Sequence, residues 1–166
     1  TGAAAASADT LNMTLAVSGN TDFGVQAIAD VETLNLVASE ATASTTVRAH
    51  TIGLSLSATA TASGGSGADQ SVIITGTESL TIDTAIAADV IDASGMTTAT
   101  ATDAGLTMGA AYTATTTIAG QTITGTGKVD VLRGSTGADT INGGAGVDTI
   151  HSNAGADTID GGAGLD

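Results

Sequence analysis

Residues 125–166 read GTGKVDVLRGSTGADTINGGAGVDTIHSNAGADTIDGGAGLD, and this stretch decides how the chain folds. Aspartate returns every nine residues, at Asp130, Asp139, Asp148, Asp157 and Asp166. An aliphatic residue stands two places after the first four, at Leu132, Ile141, Ile150 and Ile159. A fixed short period marks a solenoid, in which each repeat is one small unit stacked on its neighbours. Glycine at the first, second and fourth positions allows positive φ and a tight reversal. The last three residues, such as Thr140-Ile141-Asn142, alternate like a short strand with one inward side chain. Two such units make one flattened coil with a turn at each edge. Turns two repeats apart then stack at the strand spacing of about 4.8 Å. Asp130, Asp148 and Asp166 fall on one edge, Asp139 and Asp157 on the other.

Stacked carboxylates repel. At about 5 Å and an effective dielectric of about 20, each like-charged pair costs roughly 3 kcal/mol, a large term for a marginally stable domain. A hard divalent cation removes it. Calcium accepts six to eight oxygens at roughly 2.3–2.6 Å in loose geometry, from carboxylates and backbone carbonyls alike. Glycine-rich turns expose such carbonyls.

The nonapeptide fits the pattern G-G-x-G-x-D-x-U-x, and the tail resembles the RTX (repeats-in-toxin) β-roll over about a quarter of the chain. The resemblance implies Ca2+, several ions, held between same-edge turns. Asp130, Asp139, Asp148, Asp157 and Asp166 would supply carboxylate oxygens. The glycine-rich positions, Gly134, Gly143, Gly144, Gly146 and Gly161, would supply carbonyls. Three sites follow, pairing turn 125–130 with 143–148, 134–139 with 152–157, and 143–148 with 161–166. The sequence departs from the pattern twice. Lys128 brings a positive charge to a glycine position, which counts against the first site, and Ser152-Asn153 replaces Gly-Gly in the fourth turn.

Composition agrees. Phe23 and Tyr112 are the only aromatics, so a thin core of Ala, Val, Ile and Leu inside a narrow coil is expected rather than a thick globular one. No proline interrupts strands, and no cysteine is present for disulfides or thiolate metal sites. Net charge is −14 with three basic residues, Arg48, Lys128 and Arg133, which excludes nucleic acid as a partner and disfavours anionic membrane surfaces. Asp outnumbers Glu 14 to 3, a bias toward short carboxylates in turns. No stretch of these residues reads as a signal peptide or as an apolar run for membrane insertion. Because residue 1 is not Met and Asp166 falls in mid-repeat, the chain reads as a fragment of a longer one.

Upstream, alternation places strands at 11–17, 25–28, 31–36, 52–56, 72–74 and 80–82, with short ones at 111–118 and 121–124. A helix at 84–91 is the chief exception to consider. Val31-Glu32-Thr33-Leu34-Asn35-Leu36 and Thr77-Glu78-Ser79-Leu80-Thr81-Ile82 share the form x-Glu-[Thr/Ser]-Leu-polar-aliphatic, with a weaker copy at residues 8–13. Glu32 and Glu78 are read as solvated face residues ahead of metal ligands, His50 as a solvent-facing strand residue, and His151 as a strand end on the surface. Gly64-Gly65-Ser66-Gly67-Ala68-Asp69 matches the calcium turn, but Ser71 stands where an aliphatic belongs; Asp69 is either a ligand or part of a loop. Asp89 or Asp92 could serve an isolated ion.

The expected fold is all-β: an irregular Thr/Ala-rich parallel β-solenoid (β-helix) over 1–124, running into an RTX β-roll over 125–166. The whole resembles the β-solenoid part of RTX-type bacterial surface-layer (S-layer) proteins, through the VETLNL and TESLTID strands, the IDASGM stretch and the Thr/Ala bias. That resemblance implies type I export, calcium-dependent folding outside the cell, and self-assembly with copies of itself. The competing readings are an RTX adhesin stalk and the secretion and folding module of an exported enzyme. No His-Glu-x-x-His helix or Gly-x-Ser-x-Gly elbow is present, so no enzyme is expected in this chain.

Overall fold

A computed structural model of the chain describes residues 9–16, 18–29, 31–40, 48–57, 70–97, 103–109 and 120–166. Successive strands alternate between two all-parallel sheets. One sheet holds seven strands: β1 (Thr10–Ala16), β3 (Thr33–Ser39), β5 (Ser71–Gly76), β7 (Val90–Met96), β9 (Thr122–Thr124), β11 (Thr140–Asn142) and β14 (Thr158–Asp160). The other holds six: β2 (Thr21–Ala29), β4 (Ala49–Ser57), β6 (Ser79–Ile82), β8 (Ala104–Met108), β10 (Val129–Arg133) and β13 (Thr149–His151). A parallel pair at one edge joins β12 (Ala145–Gly146) to β15 (Ala163–Gly164). Each strand up to β9 pairs with the strand two further along the chain, and β10, β11 and β12 pair with the strand three further along, which is the winding of a β-solenoid; the pairing carries from the irregular coils into the β-roll through β8–β10 and β9–β11.

Register follows from the period-two pattern, since a slip by one residue would turn every aliphatic outward. In the first sheet one aliphatic column runs through all seven strands: Leu11, Leu34, Val72, Ile91, Ile123, Ile141 and Ile159. In the second, Ile52 stacks on Ile82 and Ile82 on Met108. The two columns meet in a core one side chain deep, each fully buried Leu or Ile contributing about 1.5–3 kcal/mol. Burial falls along the stack, from Ile141 fully inside to Ile159 half exposed, because β14 is the outermost strand of its sheet among the described residues.

Several details differ from the expectation. Strand β8 has the alternation Leu106-Thr107-Met108, with both apolar side chains buried, inside a stretch too rich in Thr, Ala and Gly to show it. Residues 85–88 are irregular chain leading into β7, with Ile86 and Ala88 buried, so the helix is absent: these residues belong to a coil that feeds strand β7 (Val90–Met96). His50 is fully buried, not solvent-facing. It shares the parity of the inward Ile52 and Leu54, aligns with Thr21 below and Leu80 above, and meets Phe23 edge-on at 5.8 Å. His151 does end a strand on the surface. The turn with Asp69 and the strand expected at 111–118 lie outside the described residues.

Candidate metal centres at the turn edges

Asp139, Asp148 and Asp157 sit where a turn delivers the chain into a strand and Asp130 lies at the start of β10; the carboxylates of all five repeat aspartates reach back one coil. Asp148 Oδ1 accepts from the Asp130 backbone N–H at 2.9 Å, and Asp166 Oδ1 from that of Asp148 at 3.1 Å. On the opposite edge Asp157 Oδ1 accepts from Asp139 N–H at 3.0 Å, and Asp139 Oδ1 from Gln121 N–H at 2.6 Å. The structure thus groups the five aspartates on two edges as the spacing requires, and joins the members of each edge through backbone donors. This ladder is not visible in a reading of the aspartates as metal ligands alone.

The same bond appears upstream. Glu32 Oε2 accepts from Asp9 N–H at 2.6 Å, and Glu78 Oε2 accepts from Arg48 N–H. Glu78 is buried. Glu78 is therefore not a solvated face residue, while Glu32 is half-buried with its bond at the surface; a carboxylate within hydrogen-bond reach of a strand-start N–H of another coil gains by turning toward it. Their sequence signal was the acid two places before an inward aliphatic, as in the tail. Asp89 stands in the same column, before β7, while Asp92 Oδ1 accepts locally from Ser94 N–H at 2.9 Å.

The carboxylates differ in how far the protein satisfies them. Asp130 is fully buried; Oδ1 accepts from Leu106 N–H at 2.6 Å, Oδ2 from Thr126 N–H at 2.7 Å, and the Thr126 hydroxyl lies 3.0 Å from both. Asp139 is held alike by Ser135, N–H to Oδ2 at 2.7 Å and hydroxyl to Oδ1 at 2.8 Å. In the third turn Gly144 replaces the hydroxyl residue, and Asp148 Oδ2 is buried with no hydrogen-bond partner. Burial pushes Asp130 up to about 6, against the pull of the Thr126 and Leu106 donors and with a further push from the Asp148 charge. Burial also raises Asp148, opposed by its bond from Asp130 N–H and reinforced by the Asp166 charge. A buried carboxylate oxygen without a donor is costly unless a cation meets it.

Oxygens converge on the first glycine of each turn. A Cβ on Gly143 would lie 2.4 Å from the Gly161 carbonyl oxygen and 2.6 Å from Asp148 Oδ2. At Gly125 the distances are 2.3 Å to Gly143 O and 2.8 Å to Asp130 Oδ2; at Gly134 they are 2.4 Å to Asp139 Oδ2 and 2.7 Å to Ser152 O. Only glycine lets the turns stack this closely, and the result is a cradle of carboxylate and carbonyl oxygens. In the third turn the second position needs glycine for another reason: Gly144 has φ +100°, and a Cβ there would meet Thr126 O at 1.9 Å. Asn153 takes that position in the fourth turn at φ 69°, a conformation asparagine tolerates. Among the described residues no three His, Cys, Asp or Glu side chains converge. A hard cation is not thereby disfavoured, since carbonyls serve it as well.

Two expected carbonyl donors are already engaged. Gly144 O accepts from Ala163 N–H at 2.9 Å, and Gly134 O from Asn153 Nδ2 at 2.6 Å. The Gly143 and Gly161 carbonyls face the cradles, and Gly146 O faces Gly164 of the next coil.

Residues 124–159 and 133–166 match the RTX calcium-binding nonapeptide repeat (4 copies). The C-terminal stretch is an array of RTX calcium-binding repeats. No curated protein and no solved structure matches the chain. The residues of the tail fit the ion the repeat binds: oxygen donors only, and a buried carboxylate oxygen left open at Asp148. No helix among the described residues is long and apolar enough to cross a membrane.

Proposed function

We propose that this chain is a structural, non-enzymatic extracellular protein, exported by a type I system, that assembles with copies of itself into a surface layer when calcium folds its RTX tail. The observation that carries the calcium part is the open, buried Asp148 Oδ2 beside the Gly161 carbonyl, inside a matched RTX repeat. Asp130, Asp139, Asp148, Asp157 and Asp166 would hold the ions, with the Gly143 and Gly161 carbonyls completing the same-edge sites. Bound calcium supplies positive charge and flexible oxygen coordination between turns. The chain's own residues set the spacing: the reach-back bonds fix one turn above the next, and the first-position glycines admit the close approach. Unfolded chain offers no such cage, so binding free energy appears as folding free energy.

The layer reading is supported by a rod-like stack whose two sheets continue through every described coil, with the calcium repeats at one end. Electron microscopy of the pure chain with millimolar calcium and with chelator tests it. Ordered sheets or tubes that appear with calcium and vanish with chelator are the expected result. Isolated rods in both conditions would instead favour an adhesin stalk.

A further inference from the structure

The position just before each first-sheet strand forms one polar column, set by the register of the strands that follow it. Its members include Glu32, Gln70, Asp89, Gln121, Asp139 and Asp157. Two of them are glutamines, and both are buried. Their side-chain amides point at turn carbonyls of the coil beneath. Gln121 Nε2 donates to Ala88 O at 2.7 Å and Ile86 O at 3.1 Å, bridging two carbonyls of one turn. Gln70 Nε2 donates to Val31 O at 2.8 Å. Asn153 repeats the device inside the tail on the same edge, through its 2.6 Å bond to Gly134 O. On the opposite edge, among the described residues, no side-chain amide donates between coils; there the glycine turns 125–130, 143–148 and 161–166 stack directly.

An amide nitrogen with two N–H donors, placed between two carbonyl oxygens, does without charge what a cation does with charge. It gathers the oxygens of one turn, as the Gln121 amide gathers those of Ile86 and Ala88. Gln121 is also bound from above, since its backbone N–H donates to Asp139 Oδ1 at 2.6 Å. One residue thus ties the coil of β7 to the first-sheet edge of the roll.

We propose that Gln70 and Gln121 are uncharged substitutes for calcium, which close this edge of the coils before residue 125 so that those coils hold without the ion. Gln121 is then the fixed floor on which the calcium-dependent roll is laid. The stack has two regimes: a metal-free portion secured by amides, and a metal-dependent portion that begins where hydroxyl-bearing and glycine turns take over. This rests on calcium binding by the tail but not on layer assembly.

Hydrogen exchange read by mass spectrometry tests it on the 166-residue chain, with millimolar calcium and with excess chelator. In the native sequence, chelator is expected to release the amides of β10, β11, β13 and β14 while β5 and β7 keep their protection. In Gln121→Glu a carboxylate would face the Ile86 and Ala88 carbonyls, so β7 and β9 should lose protection by about tenfold or more in chelator and regain it with calcium. Native mass spectrometry should then count one more ion per chain than in the native protein. Gln121→Ala should lose the protection in both conditions. The proposal is overturned if chelator exposes β5 and β7 of the native chain as fully as β11 and β14, a result that needs no variant to fold. It is equally overturned if Gln121→Glu matches the native chain in chelator, or gains nothing from calcium. Layer assembly can fail with every one of these outcomes unchanged, so the two proposals are separable.

Discussion

Replacing Asp148 by Asn separates what the carboxylate does for the protein from what it does for the ion. The amide keeps an oxygen for the bond from Asp130 N–H at 2.9 Å, so the ladder survives. It converts Oδ2, buried and without a donor, into an NH2 group on the side of the Gly161 carbonyl. It also removes a charge flanked on its edge by Asp130 and Asp166. One like pair at about 5 Å costs roughly 3 kcal/mol at an effective dielectric of about 20, and solvent at an edge reduces this, leaving about 1–3 kcal/mol to be gained. In chelator the variant should therefore melt higher than the native chain, by roughly 3–10 °C for a domain of this size. In calcium the order should invert. Asp148 borders both same-edge sites, so calcium affinity should fall at least about tenfold and the calcium-induced rise in melting temperature should largely vanish. Asp130→Asn should cost less of the calcium response, since both Asp130 oxygens already accept from Leu106 and Thr126. Circular dichroism melts with and without calcium, alongside titration calorimetry, read both quantities. A chelator melt of Asp148→Asn below that of the native chain would refute the reasoning, because it would mean the carboxylate stabilises the roll without any cation.

Three more outcomes are expected. Without calcium, stability should fall as pH rises from 4 to 7. Asp130 is raised to about 6 and Asp148 is raised too, so between their ordinary and folded values the native state holds more protons than the unfolded one. The Asp130 contribution is at most about 3 kcal/mol before solvent screening, and with saturating calcium the slope should reverse, because protons then compete with the ion; urea midpoints across this range measure both. Gly143→Ala should abolish calcium-induced folding of the last coil, since its Cβ would lie 2.4 Å from Gly161 O, and loss of protection in β14 and β15 would report it. His50→Leu should stabilise the chain by about 1–2 kcal/mol with or without calcium, because both ring nitrogens are buried without a partner beside Leu80; equilibrium denaturation checks the sign.

Much of this architecture was written in the spacing of a few residues. The nine-residue return of aspartate sets coil length, edge assignment and the pairing of β11 with β14, and the register reproduces each of these. The irregular coils are readable where three alternating aliphatics stand together, as in β1 and β4, and unreadable at β8, where Leu106 and Met108 alone carry the pattern. His50 reads as solvent-facing by residue type, but parity decides: a histidine on the inward phase of β4 goes where Ile52 and Leu54 go. Glu78 departs from its reading for a related reason: an acid reads as solvated from its type alone, and the Arg48 N–H that draws it inward comes from another coil. Gln70 and Gln121 give no signal of their own, because the carbonyls their amides meet lie 33 to 39 residues back along the chain, on the preceding coil.

These misreadings share one cause, and it explains where calcium is needed. Every described coil must satisfy oxygens at its turns, and the chain does so with whatever donor the local sequence offers. Upstream the donors are the Gln70 and Gln121 amides. In the first two RTX turns they are the Thr126 and Ser135 hydroxyls and N–H groups, which fill both oxygens of Asp130 and Asp139. At the third turn glycine takes the hydroxyl's place and Asp148 is left with one oxygen bonded and one open. Need for an external cation thus rises along the stack in the order in which side-chain donors disappear. The site between turns 143–148 and 161–166 should then be the tightest. The one between 125–130 and 143–148 should be weaker, for its Asp130 is already saturated and Lys128 lies in the turn. Titration calorimetry that resolved the sites in the opposite order would show that charge repulsion, and not the supply of donors, decides where the ions go.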